Sequence, residues 1–270
     1  MAVTVPVFVN RWGVVGSSYA NVLGQFIIAA CFIVALIVRW RRDGDGRSMR
    51  PRWSVINKQL VLGRDLIARS LSFQAAFISA AVVAGRFGPA SLAAHQVLLQ
   101  LWNFLTLVLD SVAIAAQALV GAALGAGQPV RARRVGVIVL RFSMGASSLI
   151  AVGLAVGCVA LPRLFSSDAH VLSAMASPWW LLILLTLLGG VVFALDGVLL
   201  GASDVQFLRN ATIVSALVGF LPMVWLSLWL DWGLMGVWCG LLAFVFLRMV
   251  AVVWRFIGTA WQRVEDTQSE

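Results

Sequence analysis

Long apolar stretches separated by short polar breaks dominate the pattern of hydrophobic positions along the chain. Seven such segments lie at roughly 14–38, 66–85, 90–126, 136–160, 172–200, 207–230 and 234–257. Each has about 20 residues or more, the length that an α-helix needs to cross the hydrocarbon core of a bilayer. The breaks at 85–89, 125–129 and 201–204 contain glycine with proline or aspartate, which is typical of helix ends. The pattern predicts seven transmembrane helices.

The composition supports an all-α, polytopic membrane bundle. The chain is 61% hydrophobic and 11% charged, whereas about 25% of residues are charged in an average soluble domain. Backbone polar groups in lipid must be satisfied within the chain, which leaves helices or a closed barrel, and the segments are too long for barrel strands. Cys31, Cys158 and Cys239 lie inside apolar segments and indicate neither a disulfide framework nor a metal site.

The basic residues predict the orientation of the bundle. Arginine and lysine cluster between the first two segments, again at 131–134, and after the last segment, while the alternate connections hold few. The positive-inside rule therefore places the loop at 39–65 and the C-terminus on the cytoplasmic side, and the expected location is the plasma membrane. The net charge of +9 forms no continuous basic face with interleaved aromatic residues, so nucleic acid is not an expected partner.

A short repeat suggests how the segments are grouped. The first segment begins RWGVVGSSYANVL (11–23) and the seventh begins DWGLMGVWCGLLA (231–243). Many transporters consist of two repeats related by an axis along the membrane normal. The predicted boundaries are 1–40 for the last helix of a first lobe, 41–63 for a cytoplasmic linker, 64–260 for a six-helix lobe and 261–270 for a cytoplasmic tail. A chance match is the alternative for so short a repeat.

Polar residues inside the third segment form a stripe. Steps of four, three, seven and seven residues place five polar side chains on one face of a helix: Gln96, Gln100, Asn103, Asp110 and Gln117. The stripe is about 30 Å long, which matches the thickness of the hydrocarbon core. It predicts either the wall of a polar cavity or hydrogen bonds to neighbouring helices. We favour the cavity because the stripe spans the membrane.

Charged residues inside the segments are the second candidate site. Asp110 and Asp196 are the acids expected within the membrane, and Arg69, Arg141 and Arg248 fall in the same cytoplasmic half. One interpretation is a set of ion pairs that holds the helices in register, or arginines that snorkel to the interface. The other is a carboxylate whose protonation is coupled to conformation. The sequence favours the first for Arg69 and Asp110 and leaves both open for Asp196.

Enzyme motifs are absent from the sequence. It contains no GxxxxGK[ST], HExxH or GxSxG and no clustered Cys/His ligand set. His95, close to the outer end of the third segment, is interpreted as an interfacial packing residue rather than a proton switch. We therefore expect a protein that is not an enzyme, with no metal and no cofactor.

Three stretches of the chain strongly resemble one transporter family. They are RDLIARSLSFQ (64–74), LAAHQVLLQLWNFLTLVLDSVAIAAQALVGAALGAG (92–127) and FALDGVLLGASD (193–204). They resemble the DinF-like branch of the multidrug and toxic compound extrusion (MATE) transporters. The resemblance implies two six-helix lobes around a central cavity and export of amphipathic, often cationic compounds in exchange for protons or sodium ions. It also implies that the chain holds the C-terminal lobe and one preceding helix.

The resemblance gives roles to particular residues. Asp196 lies where the family carries an acidic residue implicated in cation binding in the C-terminal lobe. The proton-linked acid on the first helix of the family's N-terminal lobe has no counterpart in this sequence, because that helix is not in it. The cation-coupling candidates are therefore Asp196 and, secondly, Asp110.

Several functions are expected on this basis. The first is a multi-pass antiporter of the plasma membrane that exports amphipathic small molecules by alternating access. The second is a chain that does not transport alone, because one lobe cannot enclose a cavity and would expose its polar stripe to lipid unless a missing N-terminal lobe joined it. A lipid-linked sugar flippase of the same superfamily is a third, although a more cationic cavity would then be expected.

Overall fold

The chain divides into two units, of which the computed structural model describes residues 4–42 and 53–262. The first unit, Met1–Trp53, contains one long helix, α1 (Thr4–Arg42). The second unit, Ser54–Glu270, contains the other described helices, which share an apolar core. Residues 43–52 of the predicted linker (41–63) and residues 263–270 of the predicted tail (261–270) lie outside the described residues.

The second unit is a bundle of α-helices joined by tight connections. The helices are α2 (Trp53–Arg86), α3 (Pro89–Gly125), α4 (Pro129–Val156), α5 (Ala160–Phe165), α6 (Ala169–Gly201), α7 (Val205–Val214), α8 (Leu221–Trp229) and α9 (Gly233–Ile257). Together with α1, seven described helical spans are long and apolar enough to cross a membrane. This confirms the predicted all-α, polytopic fold. α2 begins at Trp53, well before the apolar segment predicted at 66, because its polar first turns continue the same helix.

Two three-residue connections at one end of the bundle, 126–128 and 202–204, use the same turn. After the end of α3 the amide of Gln128 donates a hydrogen bond to the carbonyl of Ala123. After the end of α6 the amide of Asp204 donates in the same way to the carbonyl of Leu199. In each turn one residue has positive φ, Gly127 at 67° and Ser203 at 60°. This is the Schellman arrangement, which satisfies the last carbonyls of a helix and reverses the chain at once.

Helix α6 is the centre of the bundle. It packs against α3, α4 and α9. A helix surrounded in this way is apolar on most sides, and Asp196 is its one buried charged residue. The α3 contact is close, because a Cβ atom on Gly197 or Gly201 would overlap the α3 backbone at Ala113 and Gln117. These two glycines, four residues apart, allow the helices to pack closely. In lipid such van der Waals packing holds helices together, because the hydrophobic effect does not act between them.

The sixth predicted segment, 207–230, is a single span with an internal irregularity. A π-helical segment, Ser215–Phe220, separates α7 from α8. Pro222 follows directly, and a proline ring would collide with the carbonyl four residues earlier in a regular α-helix. The wider π turn removes that conflict. Gly219 lies against α9 at this point, where an added Cβ atom would be 2.9 Å from Leu247.

Candidate functional site

A buried acid in α6 binds two arginines from neighbouring helices. The Oδ2 atom of Asp196 accepts hydrogen bonds from Arg69 Nη2 of α2 at 2.6 Å and from Arg248 Nη2 of α9 at 2.5 Å. Asp196 is 4% exposed and Arg248 is 3% exposed. The structure therefore brings together three of the charged residues that the sequence singles out, and this cluster of Arg69, Asp196 and Arg248 is called the charge triad below.

Aromatic rings cover the charge triad on one side. The guanidinium carbon of Arg248 is 4.6 Å from the centroid of the Phe73 ring, and that of Arg69 is 5.7 Å from it. Phe73 in turn meets Phe244 edge to face at 5.3 Å between centroids. A cation over an aromatic face is stabilised by the negative potential of the ring, most strongly where water is excluded. Phe73 thus helps to hold two guanidinium groups around one carboxylate.

The charge triad has an excess of one positive charge. It contains two guanidinium groups and one carboxylate. Three of its buried polar atoms, Asp196 Oδ1, Arg69 Nε and Arg248 Nε, have no hydrogen-bond partner among residues 53–262. Asp110, on α3, interacts electrostatically with both Asp196 and Arg69. The two arginines and two aspartates together are electrically neutral only when Asp110 is ionised. The charge on Asp110 therefore decides whether the net positive charge of the triad is balanced.

The polar stripe of α3 lies on the exposed face of that helix. All five side chains are exposed: Gln96, Gln100, Asn103, Asp110 and Gln117. The opposite face of α3 is buried against α6 and carries small and apolar residues such as Leu109, Ala113 and Ala116. None of the five stripe side chains hydrogen-bonds to a side chain of another helix in the described part of the chain. The stripe therefore does not join helices within this lobe.

Two of the predicted residues lie away from the triad. Arg141 is exposed on α4 and forms no ion pair with any acid that the structure describes. His95 is fully buried, and its ring meets that of Trp238 edge to face at 5.9 Å. His95 is thus a packing residue inside the bundle, six residues after the start of α3. Neither ring nitrogen has a hydrogen-bond partner within the described ranges.

Two arginine–aspartate ion pairs at the ends of the spans were not predicted from the sequence. Arg209 Nη1 of α7 is 2.5 Å from Asp65 Oδ1 of α2, and Arg255 Nε of α9 is 2.6 Å from Asp204 Oδ2. The Arg255 guanidinium also lies 5.1 Å from the Phe207 ring centroid. A signal was available, since each acid flanks an apolar segment at the end where the arginines cluster. These pairs fasten α2 to α7 and the α6–α7 connection to α9.

The fold and the site define a polytopic helical membrane protein with charged groups buried inside its bundle and an exposed polar helix face. Residues 66–225 match the MatE family model. The chain is 30% identical over 256 residues to Protein DETOXIFICATION 44, chloroplastic, of Arabidopsis thaliana, covering 94% of this chain and 47% of that protein. It is 29% identical to DNA damage-inducible protein F of Escherichia coli K12, covering 89% and 52%.

The fold agrees with solved structures of the same class. A crystal structure of the Vibrio cholerae MATE transporter VcmN, in a mutant form, superposes with a TM-score of 0.81 at 19% identity, covering 94% of this chain and 58% of that one. The chain belongs to the MatE family, as the resemblance in the sequence implied. It spans about half the length of the curated relatives that it matches.

Proposed function

We propose that the chain forms one lobe of a secondary active transporter that exports amphipathic organic compounds in exchange for protons or sodium ions. The observation that carries this proposal is the exposed polar stripe of α3, with Asp110 beside the charge triad. Lipid would leave these polar groups unsatisfied at a cost of several kcal/mol, whereas a water-filled cavity between two lobes would hydrate them. Relatives named DETOXIFICATION and multidrug resistance protein NorM support efflux as the activity.

In this proposal Asp110 receives the coupling cation and the charge triad responds to it. Asp110 is exposed, so an ion in the cavity reaches it directly, whereas two arginines cover Asp196. When Asp110 is ionised it attracts Arg69, and when a proton or sodium ion neutralises Asp110 that attraction is lost. Arg69 connects α2 to α6 through Asp196, so neutralisation at Asp110 changes the force that positions α2. A ligand shifts a conformational equilibrium only through such a difference between states.

The proposed location is the plasma membrane, with the C-terminus in the cytoplasm. Arg131, Arg133 and Arg134 at the start of α4 and Arg255 near the end of α9 lie at the proposed cytoplasmic end. The connection between α8 and α9, at the other end, holds Asp231 and no basic residue. This distribution supports the orientation because short loops rich in arginine remain on the cytoplasmic side.

Transport in proteoliposomes tests the assignment of Asp110. The chain is reconstituted, alone and together with a separately expressed N-terminal lobe of a MatE relative, and export of a lipophilic cationic dye is measured under an imposed proton gradient and, separately, under a sodium gradient. Asp110→Asn is expected to abolish gradient-driven export, because the cavity then has no carboxylate to neutralise. Asp231→Asn is the matched control, since it removes an exposed acid from a turn whose φ of 51° asparagine tolerates. Export by Asp110→Asn at the unaltered rate would refute the assignment.

A second candidate function is that of a lobe that transports only with another chain. The exposed stripe favours it, because no described residue of the second unit packs over those five side chains to close a cavity. In that case the chain alone shows no gradient-driven export in liposomes. Co-reconstitution with a separately expressed N-terminal lobe of a MatE relative then restores it. Export by the chain alone would exclude this candidate.

A further inference from the structure

Helix α4 has two sharply different faces. At about 100° per residue, its buried residues fall on one side of the helix, and they include Ala132, Gly136, Val139, Ser143 and Ser147. The opposite side is apolar and open for most of its length, with exposed fractions of 58% to 83% at Ile138, Phe142, Leu149, Val152 and Val156. The open side is that of a helix at the edge of a bundle, in contact with lipid.

Three arginines lie on the same open face. Arg131, Arg134 and Arg141 are all exposed, and their spacing of three and seven residues places them within about 100° of one another around the helix. Helix α4 contains no acidic residue. Arg131 donates to Gln128 Oε1 at 3.2 Å, while Arg134 and Arg141 form no ion pair with a carboxylate in the described part of the chain. The contrast is with Arg69, Arg209, Arg248 and Arg255, each of which has a carboxylate partner.

The depth of these arginines matches that of a lipid headgroup. Arg141 lies seven residues after Arg134, so its Cα atom is about 10 Å deeper along the axis. Side chains on a helix tilt toward its N-terminus, and a long arginine stem extends along apolar surface to bring its charge to the interface. The guanidinium of Arg141 can therefore rise past Ile138 toward the level of Arg134. Two guanidinium groups then face one membrane interface above an apolar surface.

We infer that Arg134 and Arg141 bind the phosphate group of an anionic phospholipid in the leaflet at the N-terminal end of α4. The planar guanidinium group pairs with phosphate through two parallel hydrogen bonds. The acyl chains then lie along the open face at Ile138, Phe142 and Leu149, which suits a lipid and not a soluble anion. A second protein surface fits less well, because it would have to supply carboxylates at membrane depth to meet both arginines.

Native mass spectrometry on the purified full chain in detergent tests this site. The probes are phosphatidylglycerol and the zwitterionic phosphatidylcholine, each titrated separately. Wild type is expected to retain one phosphatidylglycerol molecule more tightly than phosphatidylcholine. R134Q/R141Q should bind phosphatidylglycerol about 30-fold more weakly, since each arginine near the surface contributes a factor of about five. R134K/R141K keeps the charges and is expected to retain most of the affinity.

The matched control is R163Q, an exposed arginine in α5 beyond the opposite end of α4. It should leave phosphatidylglycerol binding unchanged. The inference is overturned if R134Q/R141Q binds this lipid as tightly as wild type, if R163Q weakens binding equally, or if phosphatidylcholine binds equally well to wild type. The thermal unfolding temperature in lipid-free detergent distinguishes loss of the site from misfolding, and it should be the same for R134Q/R141Q and wild type.

Discussion

The exposed faces of α3 and α4 have opposite chemistry, although both helices are long enough to cross a membrane. The open face of α3 carries polar side chains at intervals along its length: Gln96, Gln100, Asn103, Asp110 and Gln117. Exposed apolar residues such as Leu107 and Ile114 lie between them. The open face of α4 carries arginines only in its N-terminal half, followed by an apolar surface. The polar groups of α3 suit contact with water within the membrane, whereas the open face of α4 suits a headgroup and then hydrocarbon.

The buried faces of the same two helices are alike, so the difference does not come from packing. Helix α3 meets Gly197 and Gly201 of α6 through backbone atoms, and on α4 the Ser143 hydroxyl donates to the Gly190 carbonyl of α6 at 2.7 Å. Both contacts depend on small residues that let helices approach closely. The open side of each helix therefore determines its proposed role: α3 forms a cavity wall and α4 a lipid-facing wall.

The largest expected effect is a loss of stability on removal of the buried acid Asp196 of α6, compared with removal of the exposed acid Asp110 of α3. Asp196→Asn should lower the free energy of unfolding by about 3–5 kcal/mol, because it leaves two arginines around a neutral side chain in the bundle interior. Asp110→Asn should lower it by about 1 kcal/mol or less, because water around this exposed side chain screens its attraction to Arg69. Reversible unfolding of both variants in mixed micelles provides the measurement.

Equal destabilisation by the two substitutions would contradict the comparison. It would mean that Asp110 is packed as tightly as Asp196, and that the open face of α3 is not open. Arg248→Lys serves as the control for Asp196→Asn, since it keeps the charge but not the guanidinium that lies over Phe73. It should cost less than Asp196→Asn.

A smaller effect on stability is expected when a methyl group is added at the packed contact between α3 and α6, compared with the open face of α4. Gly197→Ala should destabilise the lobe by about 1–3 kcal/mol, because its Cβ atom would overlap the backbone of Ala113. Gly145→Ala, on the open face of α4, meets no atom within 4 Å and should be neutral or slightly stabilising. Thermal unfolding of the two variants side by side compares them, and destabilisation by Gly145→Ala would show that α4 is covered.

Much of the fold could be predicted from the sequence, because lipid imposes one strong rule on it. Seven apolar segments of sufficient length became seven helical spans, and the amide and acid spacing placed the α3 stripe on one face. The boundaries of the helices were harder to predict from the sequence. The start of α2 at Trp53 and the π-helical segment before Pro222 follow from local turns that hydropathy does not register.

The partners in the site could be predicted only in part. The sequence singled out Asp196, Arg69 and Arg248, but spacing along the chain cannot tell which arginine reaches the acid from 127 or 52 residues away. Arg141 looked equivalent to Arg69 in sequence, yet the rotation of α4 directs it outward. Pairs such as Asp65 with Arg209 depend on which helices are neighbours, and that is a property of the packing.

In the proposed transporter the open face of α3 borders water, whereas the open face of α4 borders lipid. Thiol accessibility in the membrane distinguishes the two faces, in a background where Cys31, Cys158 and Cys239 are alanine. Asn103→Cys on α3 is expected to react with a membrane-impermeant thiol reagent at least about tenfold faster than Leu149→Cys on α4, because thiolates form in water and not in hydrocarbon. Equal rates, or faster labelling at 149, would contradict the account.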